Sequence, residues 1–149
     1  MQVYRITLSI FADALQASGR PARWNSHHVK VIYTSSSQSL SCLENVVHRS
    51  SLGLNQNFRL LTINIPDNIK ITEVKLSDLE PNWQDYEAFP YTQNIGNGWI
   101  RNSETAVLKV PSAIITQEYN YLLNPNHPDF SKIKLTGNEP FIFDSRIKA

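Results

Sequence analysis

Short bursts of apolar residues, broken by proline, glycine and asparagine, run along most of the chain. That rhythm favours strands over long helices. Val3-Tyr4-Arg5-Ile6 alternates and is partly β-branched, which predicts an opening strand. Residues 11–17 can form a short helix, which Gly19-Arg20-Pro21 would end. The apolar run at 29–33 predicts a second strand. Thr34-Ser35-Ser36-Ser37 then supplies potential N-caps for a helix carrying Leu40, Leu43 and Val47 at spacings of three and four. Further on, 58–65 predicts a strong strand closed by Pro66-Asp67, and 71–76 a weaker one. Residues 78–98 suit either loop or short helix, with a turn signal at Asn97-Gly98. The β-rich stretch 106–115 contains Pro111, so it predicts a strand that bends or lies at a sheet edge. Residues 119–123 and 141–143 add two short strands. Strands outnumber helices and cluster late, which indicates an α+β fold rather than a regular alternation.

The 149 residues suit a single domain, 1–149, with no internal repeat, low-complexity tract or linker. Net charge is +1 and its signs are interspersed, so the basic stripe of a nucleic-acid binder is missing. Cys42 is the one cysteine; it excludes an internal disulfide and any cysteine metal cage, and it fits a reducing compartment. The first residues lack a signal-peptide pattern, and no apolar run approaches the roughly 20 residues that span a bilayer. A soluble, cytoplasmic protein without a membrane partner is expected.

Few residues stand out chemically. Glu44 lies four after Leu40 and three before Val47, so it shares their helical face. Either that face is inward, and a carboxylate needing a partner points to the interior, or the helix is rotated and Glu44 is solvated. Arg23 is either a surface or salt-bridge arginine or a fork able to grip a diphosphate. Trp24 beside it is either core or a stacking platform. Ser112 follows a proline-fixed backbone in Val110-Pro111-Ser112-Ala113, as an ordinary bend or a ligand hydroxyl, and no Gly-x-Ser-x-Gly elbow surrounds it. His27 and His28 would face opposite ways in an extended chain, which argues against a shared metal. His48, four after Glu44, either steadies that carboxylate or forms a plain surface pair, and His127 lies in a proline-flanked loop. Glycine-rich phosphate loops and metal-binding signatures are absent from the sequence.

In order, Tyr4-Arg5, Gly19, Arg23-Trp24-Asn25, Tyr33-Thr34-Ser35, Leu43-Glu44, Gly96, Trp99, Val110-Pro111-Ser112-Ala113 and Asn120 to Pro125 resemble the RES domain of bacterial toxins. The likeness runs from residue 4 to about 130. Each motif alone is weak, and their order and separation carry the resemblance. It implies a mixed or antiparallel sheet similar to ADP-ribosyltransferases of the diphtheria-toxin type, and an enzyme that breaks the nicotinamide–ribose bond of NAD+. It also implies an Xre-type antitoxin partner and a toxin homodimer.

Carried over by position, the resemblance makes Glu44, Arg23 and Tyr33 catalytic and Arg5, Trp24 and Ser112 substrate-binding, with no metal and no resident cofactor. NAD+ is then substrate, with inorganic phosphate as an optional acceptor. The gap from Gly19 to Arg23 is longer than the compact form of the motif, so Arg20 competes for the arginine role. Two other readings stand beside NAD+ cleavage: ADP-ribosyl transfer to a host protein, and a non-catalytic partner-binding domain on the same fold.

Overall fold

The computed structural model describes residues 1–48 and 57–147. Among them seven strands form one sheet: β1 Gln2–Leu8, β2 Ile32–Ser35, β3 Phe58–Asn64, β4 Ile71–Glu73, β5 Val107–Pro111, β6 Tyr119–Leu123 and β7 Lys134–Phe141. Two α-helices accompany them, α1 Gln38–His48 and α2 Phe89–Asn102. The sheet order is β4-β5-β6-β2-β1-β3-β7. Every neighbouring pair is antiparallel except β4 with β5. The α+β class expected from the pattern is the one observed.

The sheet is weakest at its middle. β1 pairs with β3 along its full length, from Gln2↔Asn64 to Leu8↔Phe58. With β2, by contrast, β1 registers the single pair Tyr4↔Ser35. The sheet therefore opens along the β1–β2 seam into two wings.

Side-chain alternation shows how the wings are covered. One face carries Val3, Ile32, Leu61, Ile63, Val107 and Leu123 in a core that unites both wings. On the opposite face, Leu108, Val110 and Leu122 pack with Trp24, Trp83 and Trp99, the last of these from α2. Also on that face, Ile6, Phe58 and Leu60 meet Cys42 and Val46 of α1. The two helices thus lie on the same face, one over each wing, and the groove between them runs above the seam. No helix among the described residues is long and apolar enough to cross a membrane.

Several elements depart from the sequence pattern. Residues 11–17 do not form a helix: a 3-10 turn at Ser9–Phe11 ends there, and the chain continues irregularly. That course is tied to β7 by the Asn138 amide, which donates to the Ala12 carbonyl at 2.9 Å. The second strand starts at Ile32 rather than 29. Asn97-Gly98 lies inside α2, because α2 packs on the loop before β2 and its polar residues are engaged there. Pro111 ends β5, which lies between β4 and β6, so the edge reading is replaced by a strand end. The last strand lies mostly before 141, and its Gly137 passes so close to Thr62 that a Cβ would sit 3.1 Å from the threonine Cβ. On α1, Leu40 is buried, but Leu43 and Val47 are exposed, so the apolar trio does not define the packed face. His28 has a positive φ of 69°, and its ring lies 3.8 Å from that of His27, so the two do not diverge as in an extended strand.

Candidate active site

The groove between the helices is a cleft of about 460 Å³ lined by Arg5, Arg23, Tyr33, Glu44, His48 and Asn120, among others. That size is ordinary for a small-molecule site.

One wall is the loop at residues 22–26, gripped by α2. Thr92 Oγ1 donates to the Arg23 carbonyl at 2.6 Å, and Gln93 Nε2 to the Ala22 carbonyl at 2.8 Å. Asn97 Oδ1 accepts the Ser26 N–H at 3.0 Å. Between them Gly96 lies against Trp24: a Cβ there would stand 1.7 Å from the Trp24 carbonyl oxygen. From the other side, Asn25 Nδ2 donates to the carbonyls of Arg20 and Val29. The Tyr33 hydroxyl donates to Asn25 Oδ1 and accepts the Trp24 N–H.

This double grip places the two arginines differently. Arg23 is half-buried and lines the cleft, whereas Arg20 is exposed and outside it. Arg23 Nη1 donates to the Trp83 carbonyl at 3.0 Å, and the guanidinium lies over the Phe89 ring at 4.9 Å and the Trp83 ring at 5.7 Å. Burial pulls its pKa down, and the negative charges of Glu44 and Asp85 oppose that pull. Both hold the guanidinium in its charged form.

Arg5 enters from β1. Its Nη1 donates to the Tyr33 carbonyl at 3.2 Å, bridging the seam that the strands leave unpaired. Burial lowers its pKa as well. Among the described residues, neither arginine forms an ion pair within 4.0 Å. Tyr33 presents its ring to the cleft while its hydroxyl is consumed by the loop, and burial pushes the phenol well above the usual tyrosine range.

The facing wall is α1. Ser37 Oγ accepts the Leu40 N–H at 3.1 Å, the cap that the serine cluster predicts. The helix then turns a polar stripe, Ser41, Glu44, Asn45 and His48, toward the groove. Ser41 Oγ accepts the Ile6 N–H at 3.1 Å, and Asn45 Nδ2 donates to the Ile6 carbonyl at 3.0 Å. These two side chains replace the β2 ladder that β1 lacks at Ile6, so α1 is fixed to the seam by hydrogen bonds.

Glu44 stands between them with its side chain only 17% exposed. Its Oε1 accepts the Ser112 hydroxyl at 2.8 Å and the Asn120 amide at 2.7 Å. Its Oε2 meets His48 Nε2 at 3.0 Å. Burial acts to raise the Glu44 pKa, but hydrogen bonds from His48, Asn120 and Ser112 outweigh it and hold the carboxyl below the usual glutamate value. The result is a carboxylate fixed by three partners in the cleft that Arg5 and Arg23 also line.

Two expected roles change. Trp24 borders the cleft but is 3% exposed and packs at 6.0 Å from the Trp83 ring, so it belongs mainly to the core. Its contribution comes through its backbone, which contacts Tyr33 and Gly96. Ser112 is fully buried; its hydroxyl is given to Glu44 and its oxygen accepts the N–H groups of Ile114 and Ile115. It holds the carboxylate and does not reach the cleft surface. Conversely, Asn120 had no expected role. Its Oδ1 accepts the Ser35 hydroxyl at 2.8 Å, which turns its Nδ2 toward Glu44. An asparagine inside a strand, where that residue is disfavoured, was the available signal. Among the described residues no three His, Cys, Asp or Glu gather where they could hold a metal ion.

Comparisons with known proteins cover almost the whole chain. The model of the RES domain matches residues 2–144. The "Prs ADP-ribosylating toxin" of Sphingobium sp. is 37% identical over 141 residues, spanning 91% of this chain and 88% of that protein. The "Toxin Res" of Yersinia enterocolitica is 33% identical over 154 residues, spanning 99% and 100%. Among solved structures, the Mycobacterium tuberculosis MbcT–MbcA toxin–antitoxin complex contains a chain of similar fold. It aligns with a TM-score of 0.79 at 18% identity, covering 95% of this chain and 84% of that one.

Proposed function

Because the chain belongs to the RES-domain family, we propose that it is a toxin that destroys NAD+ by cleaving the nicotinamide–ribose bond. The observation that carries this reading is the Glu44 carboxylate, held by Ser112, Asn120 and His48 in the cleft that Arg5 and Arg23 also line, with its charge acting on Arg23.

Arg5 and Arg23 clamp the diphosphate, and Tyr33 covers the nicotinamide ribose. As the glycosidic C–N bond breaks, nicotinamide departs with the bonding pair as a neutral base, and positive charge develops on the ribose, as in glycoside hydrolysis. Glu44 stabilises that charge through the field of a carboxylate already oriented before reaction. A neutral leaving group needs no acid to protonate it, so one carboxylate suffices. Water or inorganic phosphate then adds to the anomeric carbon, giving ADP-ribose or its phosphorylated form. Ser112 and Asn120 act as positioning residues.

A second reading has its own support: the Sphingobium relative is named an ADP-ribosylating toxin. In that case a protein side chain replaces water as the acceptor. A toxin of this kind requires an inhibitor, and the similar fold in a toxin–antitoxin complex supports an antitoxin protein as partner. An Xre-type antitoxin, a homodimer and a cytoplasmic location complete the reading.

The test is purified protein with NAD+ at low and high phosphate, each with and without bacterial lysate protein as acceptor, followed for nicotinamide release and for product mass. Release of nicotinamide with free or phosphorylated ADP-ribose is the expected result. Modified protein without free product selects the transferase, and no nicotinamide release under either condition ends both readings.

A further inference from the structure

A second cavity, of about 490 Å³, adjoins the cleft and shares Pro21 and Phe89 with it. Its remaining walls are Tyr86, Glu87, Pro90 and Gln93. Tyr86 is 79% exposed, and its ring lies 5.0 Å from that of Phe89, tilted by 38°. Two aromatic rings and two prolines therefore form an apolar ledge open to solvent beside the active site. The fold does not need Tyr86 for its core.

Arg23 marks the boundary between the two spaces, since its guanidinium lies on the Phe89 ring and also lines the first cleft. Glu44 lies in the first cleft and not in the second. A dinucleotide has the same layout: a diphosphate in the middle and one nucleoside on each side. We propose that the second cavity is a nucleobase subsite that takes the adenine end of the substrate, with the base stacked on Tyr86 and Phe89.

The inference rests on the NAD+ reading and adds to it where the non-reacting half binds. Polar groups on the walls choose the base. Gln93 Nε2 is committed to the Ala22 carbonyl at 2.8 Å, which leaves Oε1 as the acceptor that side chain can offer. Glu87 adds a carboxylate. Two acceptors suit a purine carrying an exocyclic amine and repel one that presents a carbonyl oxygen at that position.

The subsite is tested with the full chain in two arms. In calorimetric titration, AMP binds, IMP binds several-fold more weakly, and Tyr86→Ala weakens AMP by about 5- to 150-fold, the range of one base–aromatic stack. In the kinetic arm, the ratio of kcat/KM for NAD+ over nicotinamide mononucleotide falls by a similar factor in Tyr86→Ala. An unchanged ratio, or AMP binding equal in the two proteins, overturns the subsite, and equal AMP and IMP binding overturns its choice of base. Should the wild type cleave neither nucleotide, the NAD+ reading fails, and the AMP titration alone decides the subsite.

Discussion

Asn120 on β6 donates its side-chain amide to Glu44 on α1 at 2.7 Å, joining two elements 76 residues apart in sequence. The Ser35 hydroxyl, given to Asn120 Oδ1, holds that amide in the orientation Glu44 requires. The carboxylate, carried by the helix over the β1–β3–β7 wing, is thus positioned by groups from the opposite wing, together with His48 on its own helix.

Glu44→Gln keeps the shape of the side chain: its carbonyl can accept from Ser112 and Asn120, and its amide can donate to neutral His48. Thermal unfolding is expected to change little, while nicotinamide release falls by about 100- to 1,000-fold, the usual cost of removing one preorganised electrostatic group. Turnover within a few fold of wild type contradicts the assignment.

Asn120→Ala removes one of the interactions that lower the Glu44 pKa and leaves burial, which raises it, less opposed. Activity that needs the carboxylate is present above the Glu44 pKa and is lost as pH falls through it. The acid limb of the kcat profile therefore moves to higher pH. Stability follows the same sign: a depressed folded-state pKa contributes stability above the unfolded value and loses it as pH falls through the folded one. An acid limb that stays in place while kcat drops uniformly indicates a purely structural Asn120.

Gly96→Ala inverts an ordinary expectation. Alanine usually stabilises a helix interior by about 0.5–1 kcal/mol relative to glycine. Here the added Cβ would stand 1.7 Å from the Trp24 carbonyl oxygen, so α2 and the Arg23 loop must separate. A destabilisation of at least about 1–3 kcal/mol is expected in urea unfolding, together with a higher KM as Arg23 shifts. A more stable Gly96→Ala protein shows that the contact yields easily.

Tyr33→Phe keeps the ring in the cleft but leaves Asn25 Oδ1 and the Trp24 N–H without their shared partner. A stability loss of about 1–3 kcal/mol is expected, as for buried polar groups stripped of a partner. KM should rise more than kcat falls, because the loop carries Arg23 and not the reacting carboxylate. A pure kcat loss at constant stability points instead to a chemical role for the phenol.

Strands β1, β3, β5 and β6 were legible because each alternates between two buried or half-buried faces over five to seven residues. The start of α1 was legible because a serine cap is a local signal. α2 was ambiguous: its Gly96 and Asn97 contact a loop some 70 residues earlier, and local propensity reads such residues as a turn. The packed face of α1 stayed open because periodicity counts apolar residues, whereas α1 docks on β1 through Ser41 and Asn45 as well as through Leu40.

Of the six candidate site residues, the ordered motifs brought forward the arginines, the tyrosine and the acid that now share one cleft. By itself the sequence determined the strand-rich class, the balanced charge and which residue types could do chemistry, since these depend on composition and near-neighbour order. Tertiary structure decided which arginine faces the cleft, that Trp24 is core, that Ser112 serves Glu44, and that Asn120 belongs to the site at all. Each of those outcomes depends on which side of a seam between distant strands a side chain falls, and spacing along the chain does not encode that.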